Sequence, residues 1–224
     1  MPRGKKPDSS GANRPATPFE RLREFGREYQ PKLDAAIDRE MRRSGPMESG
    51  RLVNLNKNAE QYEDILRSMR MHLGSARGKR ILHIGSSHGV FVNFLQKLGA
   101  NAIASDEDRT AINMGRGLGL KRGVVAAAER LPFTEGSFDA IFCENFVLSY
   151  YHKIGAIERQ IFAQAAGALK EGGYFFVAIH GGPFRAMDIR TLKRENPFGL
   201  LDHFDVIDKI GNTFTLRKKA DNHS

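Results

Sequence analysis

The feature that most constrains how this chain folds is a short apolar run, Ile81-Leu82-His83-Ile84, ending in the turn Gly85-Ser86-Ser87-His88-Gly89. Such a run bounded by glycine reads as a strand buried on both faces, since one-sided burial would impose polar alternation. After the turn, Val90, Phe91, Phe94, Leu95 and Leu98 recur at helical spacing until Gly99 stops them. The pattern then repeats. Ala102-Ile103-Ala104-Ser105 leads to a helix near 107–117, followed by Val124-Val125-Ala126 and Phe138-Asp139-Ala140-Ile141-Phe142-Cys143. A helix with Ile154, Ile157, Ile161, Phe162, Ala165 and Leu169 precedes Tyr174-Phe175-Phe176-Val177-Ala178-Ile179. Strands alternating with helices predict a parallel sheet with right-handed crossovers. Phe204-Asp205-Val206-Ile207-Asp208 and Thr213-Phe214-Thr215-Leu216 flank Gly211-Asn212, which predicts an antiparallel hairpin closing the sheet.

Upstream the character changes. Residues 1 to about 18 are rich in Pro, Gly, Ser, Asn and basic residues and bury too little apolar surface to offset ordering entropy, so a disordered basic tail is expected. A basic arm that contacts RNA is the alternative. Phe19, Leu22, Phe25 and Tyr29 then recur every three or four residues, Pro31 interrupts, and Leu33, Ile37 and Met41 resume until Gly45-Pro46. Tyr62, Ile65, Leu66, Met69 and Leu73 form another apolar face closing at Gly74. The predicted organisation is a tail over 1–18, a helical segment over 19–75 and the α/β domain over 76–219.

Composition excludes several classes. A single cysteine, Cys143, removes intramolecular disulfides and multi-cysteine zinc sites, agrees with a reducing compartment and leaves no metal site expected. The basic N-terminus is not followed by an apolar stretch, and no run of about 18 apolar residues occurs, so neither secretion nor a membrane span is expected and the cytoplasm is the expected location. The formal charge of +9 favours anionic partners such as RNA, acidic metabolites or lipid headgroups.

The glycine turn brings backbone N–H groups to the carboxyl edge of the sheet, where ligands bind in such folds. Gly85 and Gly89 lack the G-x-G-x-x-G spacing that admits a dinucleotide pyrophosphate, which argues against NAD and FAD. Asp106 ends the second strand about twenty residues beyond Gly85, where a carboxylate accepts hydrogen bonds from both ribose hydroxyls. The alternative for Asp106 is an N-cap on the helix that follows.

The order and spacing of Ile81 to Ala100, Asp106, Ala128-Glu129-Arg130-Leu131-Pro132-Phe133, Gly136-Ser137-Phe138-Asp139 and Ala168-Leu169-Lys170-Glu171-Gly172-Gly173 resemble a class I S-adenosylmethionine-dependent methyltransferase. The type resembled includes small-molecule methylases, and the resemblance covers about residues 79 to 217. It implies an α/β, three-layer Rossmann-like sandwich with a mostly parallel seven-stranded sheet, a C-terminal antiparallel hairpin and added N-terminal helices. It also implies S-adenosylmethionine as cofactor. By that resemblance Gly85, Ser86 and Gly89 line the methionine and ribose portion, Asp106 holds the ribose, and Ala127 to Glu129 flank the adenine. The full cofactor-binding set expected is His83, Gly85, Ser86, Ser87, Gly89, Asp106, Glu107, Ala127, Ala128, Glu129 and Glu144. Leu131-Pro132-Phe133 and Phe138-Asp139 are expected to be structural, and Lys170-Glu171-Gly172-Gly173 to form the turn into the fifth strand.

Three positions depart from the resembled pattern: His83 stands where an acid is usual, Ser87 where a glycine is, and Ala127 where an aspartate or similar polar residue is. A neutral His83 still accepts a hydrogen bond but lacks the charge that suits the cofactor's ammonium. Ala127 offers the adenine amino group no side-chain partner. Each loss is worth roughly 0.5–3 kcal/mol.

Methyl transfer needs alignment more than acid–base machinery, because the sulfonium already activates the methyl group. Groups just after the fourth strand are the acceptor-site candidates: Glu144, Asn145, Tyr150, Tyr151 and His152, with Tyr150 and His152 as the catalytic candidates. Cys143 reads as a packing residue rather than a nucleophile. Asn196-Pro197-Phe198 lies after the fifth strand and is set aside as an amino-methylase motif, and His180-Gly181-Gly182-Pro183 reads as a turn. The expected function is methyl transfer to a small-molecule acceptor. RNA is the second acceptor class, and the rival is a degenerate binding module, motivated by His83, Ser87 and Ala127 and opposed by Gly85, Gly89 and Asp106. Oligomeric state has no signature in the sequence.

Overall fold

The computed structural model describes residues 16–44, 59–144, 155–179 and 187–220. Two helices, α1 (Pro18–Ser44) and α2 (Ala59–Leu73), precede an alternation of β1 (Arg80–Ile84), α3 (Val90–Lys97), β2 (Asn101–Asp106), α4 (Arg109–Gly117), β3 (Gly123–Val125), β4 (Phe138–Glu144), α5 (Gly155–Ala168) and β5 (Leu169–Ala178). Two short helices, α6 (Ile189–Glu195) and α7 (Leu200–His203), joined by a 3-10 turn at Pro197–Gly199, lead to the hairpin β6 (Phe204–Ile210) and β7 (Thr213–Lys218). The strands form one seven-stranded sheet in the order β3-β2-β1-β4-β5-β7-β6. The first five positions pair in parallel, and β7 pairs antiparallel with both β5 and β6. The expected Rossmann-like sheet with its terminal hairpin is therefore observed. Neither α6 nor α7 is foreseen, because each is too short for a period of 3.6 to show.

Away from the bulge between Phe138 and Ala140, side chains of the central strands alternate between the two faces, as a pleat requires. On one face Leu82, Ile84, Ile141, Cys143, Phe175 and Val177 pack beneath α5, α6 and α7 through Ile161, Phe162, Leu192 and Leu200. On the other, Ile81, Ala140, Phe142, Phe176 and Ala178 meet α1, α2 and α3 through Leu22, Phe25, Ile65, Phe91 and Phe94. The N-terminal helices thus share a layer with α3, and α2 lies over β5, β7 and β6.

Two local expectations are corrected. Pro31 does not divide the first helical stretch: α1 runs through it. A proline there removes the bond to the Arg27 carbonyl at a cost of about 3 kcal/mol. Leu22, Phe25, Tyr29 and Leu33 nonetheless lie buried on one stripe spanning the proline, and that shared burial outweighs the local preference. Second, Leu169 opens β5 instead of closing α5, and Lys170–Gly173 lies inside the strand. The β4 ladder pairs Phe138 with Leu169 and next Ala140 with Tyr174, so the extra β5 residues bulge out. Gly172 takes φ +65 within this bulge, and Lys170 Nζ donates to Asp139 Oδ1 at 2.7 Å across it.

Among the described residues no helix is long and apolar enough to cross a membrane, and no group of three or more His, Cys, Asp or Glu is placed to hold a metal ion.

Candidate cofactor site

The chain begins its sheet in the middle at β1, winds outward through β2 and β3, and returns to the other side of β1 as β4. Crossovers therefore leave in opposite directions at the β1–β4 boundary, and a crevice opens at the carboxyl ends of these strands. A cavity of about 250 Å³ lies there, lined by Gly85, Asp106, Glu107, Ala126, Ala128, Glu129 and Glu144. It collects residues that end or follow β3, β2, β1 and β4 in turn. Four of its lining residues are acidic, and no lysine or arginine among the described residues lines it, although the chain as a whole carries +9. Such a cleft favours a cationic ligand. A second cavity, of about 470 Å³, lies between α1 and α4 beside Arg39, Glu40 and Arg43, but no strand end borders it.

Asp106 and Asp108 divide the work left open by the sequence. The Asp108 side chain caps α4, accepting the Thr110 and Ala111 N–H groups at 2.8 and 3.1 Å. Asp106 is not the cap. Its Oδ2 accepts the Ser87 N–H at 2.6 Å and its Oδ1 the Asp108 N–H at 2.9 Å, which fixes the carboxylate at the cavity wall. Each oxygen keeps a lone pair for a further donor.

The glycine turn is built for close approach. Gly89 has φ +65, and a Cβ there would meet Leu120 Cδ2 at 2.9 Å and Ala104 Cβ at 3.0 Å. Gly115 of α4 is equally constrained, since a Cβ would overlap the His88 carbonyl oxygen. Ser87 takes φ +49 despite its side chain, a conformation that costs about 1–2 kcal/mol. Its bond to Asp106 holds it there, and its Oγ lies 3.0 Å from His88 Nδ1.

Behind the turn is a buried polar cluster. The His83 ring stacks on Phe142 with centroids 4.0 Å apart, and its Nε2 lies 3.9 Å from Glu144 Oε1. Burial pushes His83 down to about 3, so the ring is neutral and the 3.9 Å approach is not an ion pair. Neither ring nitrogen has a hydrogen-bond partner among the described residues. Burial pushes Glu144 up to about 7, opposed by a hydrogen bond that Tyr62 Oη donates to Oε1 at 2.8 Å. The other oxygen, Oε2, is buried without a partner among the described residues. Tyr62 comes from α2 and stacks on Phe91 of α3 at 4.4 Å. Its phenol is raised well above its ordinary value, by burial first and the Glu144 charge second, so it stays the donor.

The structure therefore brings Gly85, Asp106, Glu107, Ala128, Glu129 and Glu144 around one cavity, together with Ala126. Ser86, Ser87 and Gly89 form the turn and do not line the cavity; Ala127 stands between two lining residues without joining them, and His83 lies buried at the end of β1. Asn145, Tyr150, Tyr151, His152 and His180-Gly181-Gly182-Pro183 fall outside the described residues. Cys143 is fully buried in the core, in keeping with packing. Asn196 closes α6, its N–H donating to the Leu192 carbonyl, and its Oδ1 accepts the Leu201 N–H of α7 at 2.7 Å, which gives Asn196-Pro197-Phe198 a structural task. Tyr62 was legible only as one residue of an apolar face, because its hydroxyl finds its partner 82 residues away.

Residues 82–177 match the family model of a methyltransferase domain. A search of curated proteins finds no match. Among solved structures, a protein of Pyrococcus horikoshii OT3 is similar at 15% identity and a TM-score of 0.57, covering 76% of this chain and 93% of its own. A protein of Methanococcus maripaludis, described as a candidate S-adenosyl-L-methionine-dependent methyltransferase, is similar at 15% identity and 0.57, over 95% and 99%. A 1,6-didemethyltoxoflavin-N1-methyltransferase from Burkholderia thailandensis, solved with 1,6-didemethyltoxoflavin and S-adenosylhomocysteine bound, is similar at 18% and 0.56, over 96% and 99%. These identities speak for the shared fold, while the matched domain model speaks for residues 82–177. Residues 82–177 thus form a methyltransferase domain, on a fold shared with S-adenosylmethionine-dependent methyltransferases.

Proposed function

We propose that the protein methylates a small-molecule acceptor and that the acidic cavity across the ends of β1 to β4 is its cofactor site. The observation that carries this reading is the charge of the cavity: four carboxyl groups in a basic chain, at the crevice where such sheets bind ligands. The residues present suit the cofactor, whose sulfonium and ammonium are cationic and whose ribose offers two hydroxyl donors. Asp106, already fixed by two backbone N–H groups, accepts from the ribose with Glu107 beside it. Ala126, Ala128 and Glu129 flank the adenine, and Gly85 and Glu144 border the amino-acid end. When bound, S-adenosylmethionine supplies a methyl group activated by its sulfonium. The chain's own task is then to orient the acceptor and exclude water.

A small acceptor is favoured by the Burkholderia neighbour, whose bound 1,6-didemethyltoxoflavin is such a molecule. RNA is the second reading, on the charge of +9 and the arginines near the end of α1, Arg39, Arg42 and Arg43. It predicts binding that falls steeply with salt.

Titration calorimetry with S-adenosylmethionine and S-adenosylhomocysteine tests the cofactor site. Micromolar binding is expected, weakened at least tenfold in Asp106→Ala, with thermal melts confirming that the variant folds. Absence of both heat and thermal shift at millimolar ligand overturns the assignment.

A further inference from the structure

β1 and β4 run in parallel with His83 opposite Phe142 and Ile84 opposite Cys143, so Gly85 and Glu144 leave the sheet edge side by side. Both line the cavity. The Glu144 side chain is only 14% exposed, with one carboxyl oxygen held by Tyr62 and the other buried and unpartnered among the described residues. Beside it the imidazole of His83, 2% exposed, also has both nitrogens unpartnered. Unpaired acceptors of this kind are costly in a folded protein unless something fills them. The cofactor's amino-acid end carries an ammonium with three N–H donors. Its nucleoside end is accounted for by Asp106 on the far side of the same cavity.

We propose that Glu144, oriented by the Tyr62 hydroxyl of α2, receives the ammonium of the cofactor, so that the N-terminal helices complete the cofactor site. This rests on the cofactor cavity proposed above. Tyr62 is a positioning residue: it touches Glu144, and Glu144 touches the ligand.

A consequence follows for protons. With Glu144 pushed up to about 7, the free protein near neutral pH holds this carboxyl partly protonated. An ammonium beside it favours the carboxylate, so binding converts the protonated fraction of Glu144 to carboxylate and passes that fraction of a proton to the buffer. The groups that face Glu144 do not supply that proton. From α2, Tyr62 is raised well above its ordinary range and stays a phenol; from β1, His83 at about 3 stays neutral. Across the cavity stand the carboxyl groups of Asp106, Glu107 and Glu129, and the β5 register partner of Glu144 is the uncharged Ala178.

The experiment is calorimetric titration of the full chain with S-adenosylhomocysteine, which keeps the ammonium, in pairs of buffers of differing ionisation enthalpy between pH 6 and 8. Wild type is expected to release roughly half a proton at pH 7 and close to one at pH 6, with affinity rising about tenfold from pH 6 to 8. Glu144→Gln is expected to bind with no proton release and a flat pH profile. In Tyr62→Phe the loss of the hydroxyl donor raises Glu144 further, so the release profile moves to higher pH, a shift that lost packing alone does not produce. Binding by wild type without proton release, or an unaltered profile in Glu144→Gln, overturns this proposal and leaves the cofactor site standing. Failure of wild type to bind overturns both. Should Glu144→Gln not fold, the wild-type buffer dependence and the Tyr62→Phe shift decide alone.

Discussion

Asp106 and Asp108 stand two residues apart and carry different loads, one fixed at the cavity wall and the other capping α4. The sequence placed Asp106 at the right edge of the sheet but left its task open, since either aspartate suits the start of a helix. The same limit hid the Tyr62–Glu144–His83 cluster, whose members come from three elements. That cluster sets a pH dependence of stability. Glu144 is raised from 4.5 to about 7, so its contribution is fully present below 4.5 and is lost as pH rises through 7. His83 is lowered from 6.5 to about 3 and His88 is also lowered by burial, so theirs is present above 6.5 and lost as pH falls. Between pH 5 and 6.5 the two slopes oppose each other. Removing one side in Glu144→Gln is expected to steepen the loss of stability on acidification by up to about 1.4 kcal/mol per pH unit. Urea midpoints across that window check it, and equal slopes in the two proteins contradict the assignment.

At the scale of elements, periodicity identified the seven strands and the principal helices because burial on one or two faces leaves its mark in the local sequence. It failed where a tertiary contact overrode a local rule. Pro31 is a helix breaker by its covalent structure, yet the stripe of Leu22, Phe25, Tyr29 and Leu33 keeps α1 intact across it. The cost of the proline remains in the folded state. Pro31→Ala at this exposed position restores the missing N–H and is expected to stabilise the protein by about 1–3 kcal/mol in urea denaturation. No gain in stability means that the helix does not run through residue 31. Lys170–Gly173 reads as a turn from its glycines, and only the pairing of Leu169 with Phe138 shows that the strand has already begun.

On the scale of the whole molecule, α1 and α2 share one apolar cluster with α3 and the sheet, so they are expected to unfold with it. Ile65 is fully buried there, one turn beyond Tyr62. Ile65→Ala is expected to cost about 2–5 kcal/mol. Two of the five tyrosines, Tyr29 and Tyr62, lie on α1 and α2 and the chain has no tryptophan, so tyrosine fluorescence includes a report on the helical layer while far-ultraviolet dichroism follows the whole. Coincident transitions by the two probes are expected, and a separate early tyrosine transition contradicts a common core. The sequence by itself determined the order of the seven strands and the principal helices, the glycine turn, the terminal hairpin and the resemblance to methyltransferases, because each is carried by local patterns along the chain. Only the tertiary structure decided that Pro31 is tolerated, that Asp108 rather than Asp106 caps α4, and that Tyr62 reaches Glu144, because each depends on burial or on a partner brought in from a distant element.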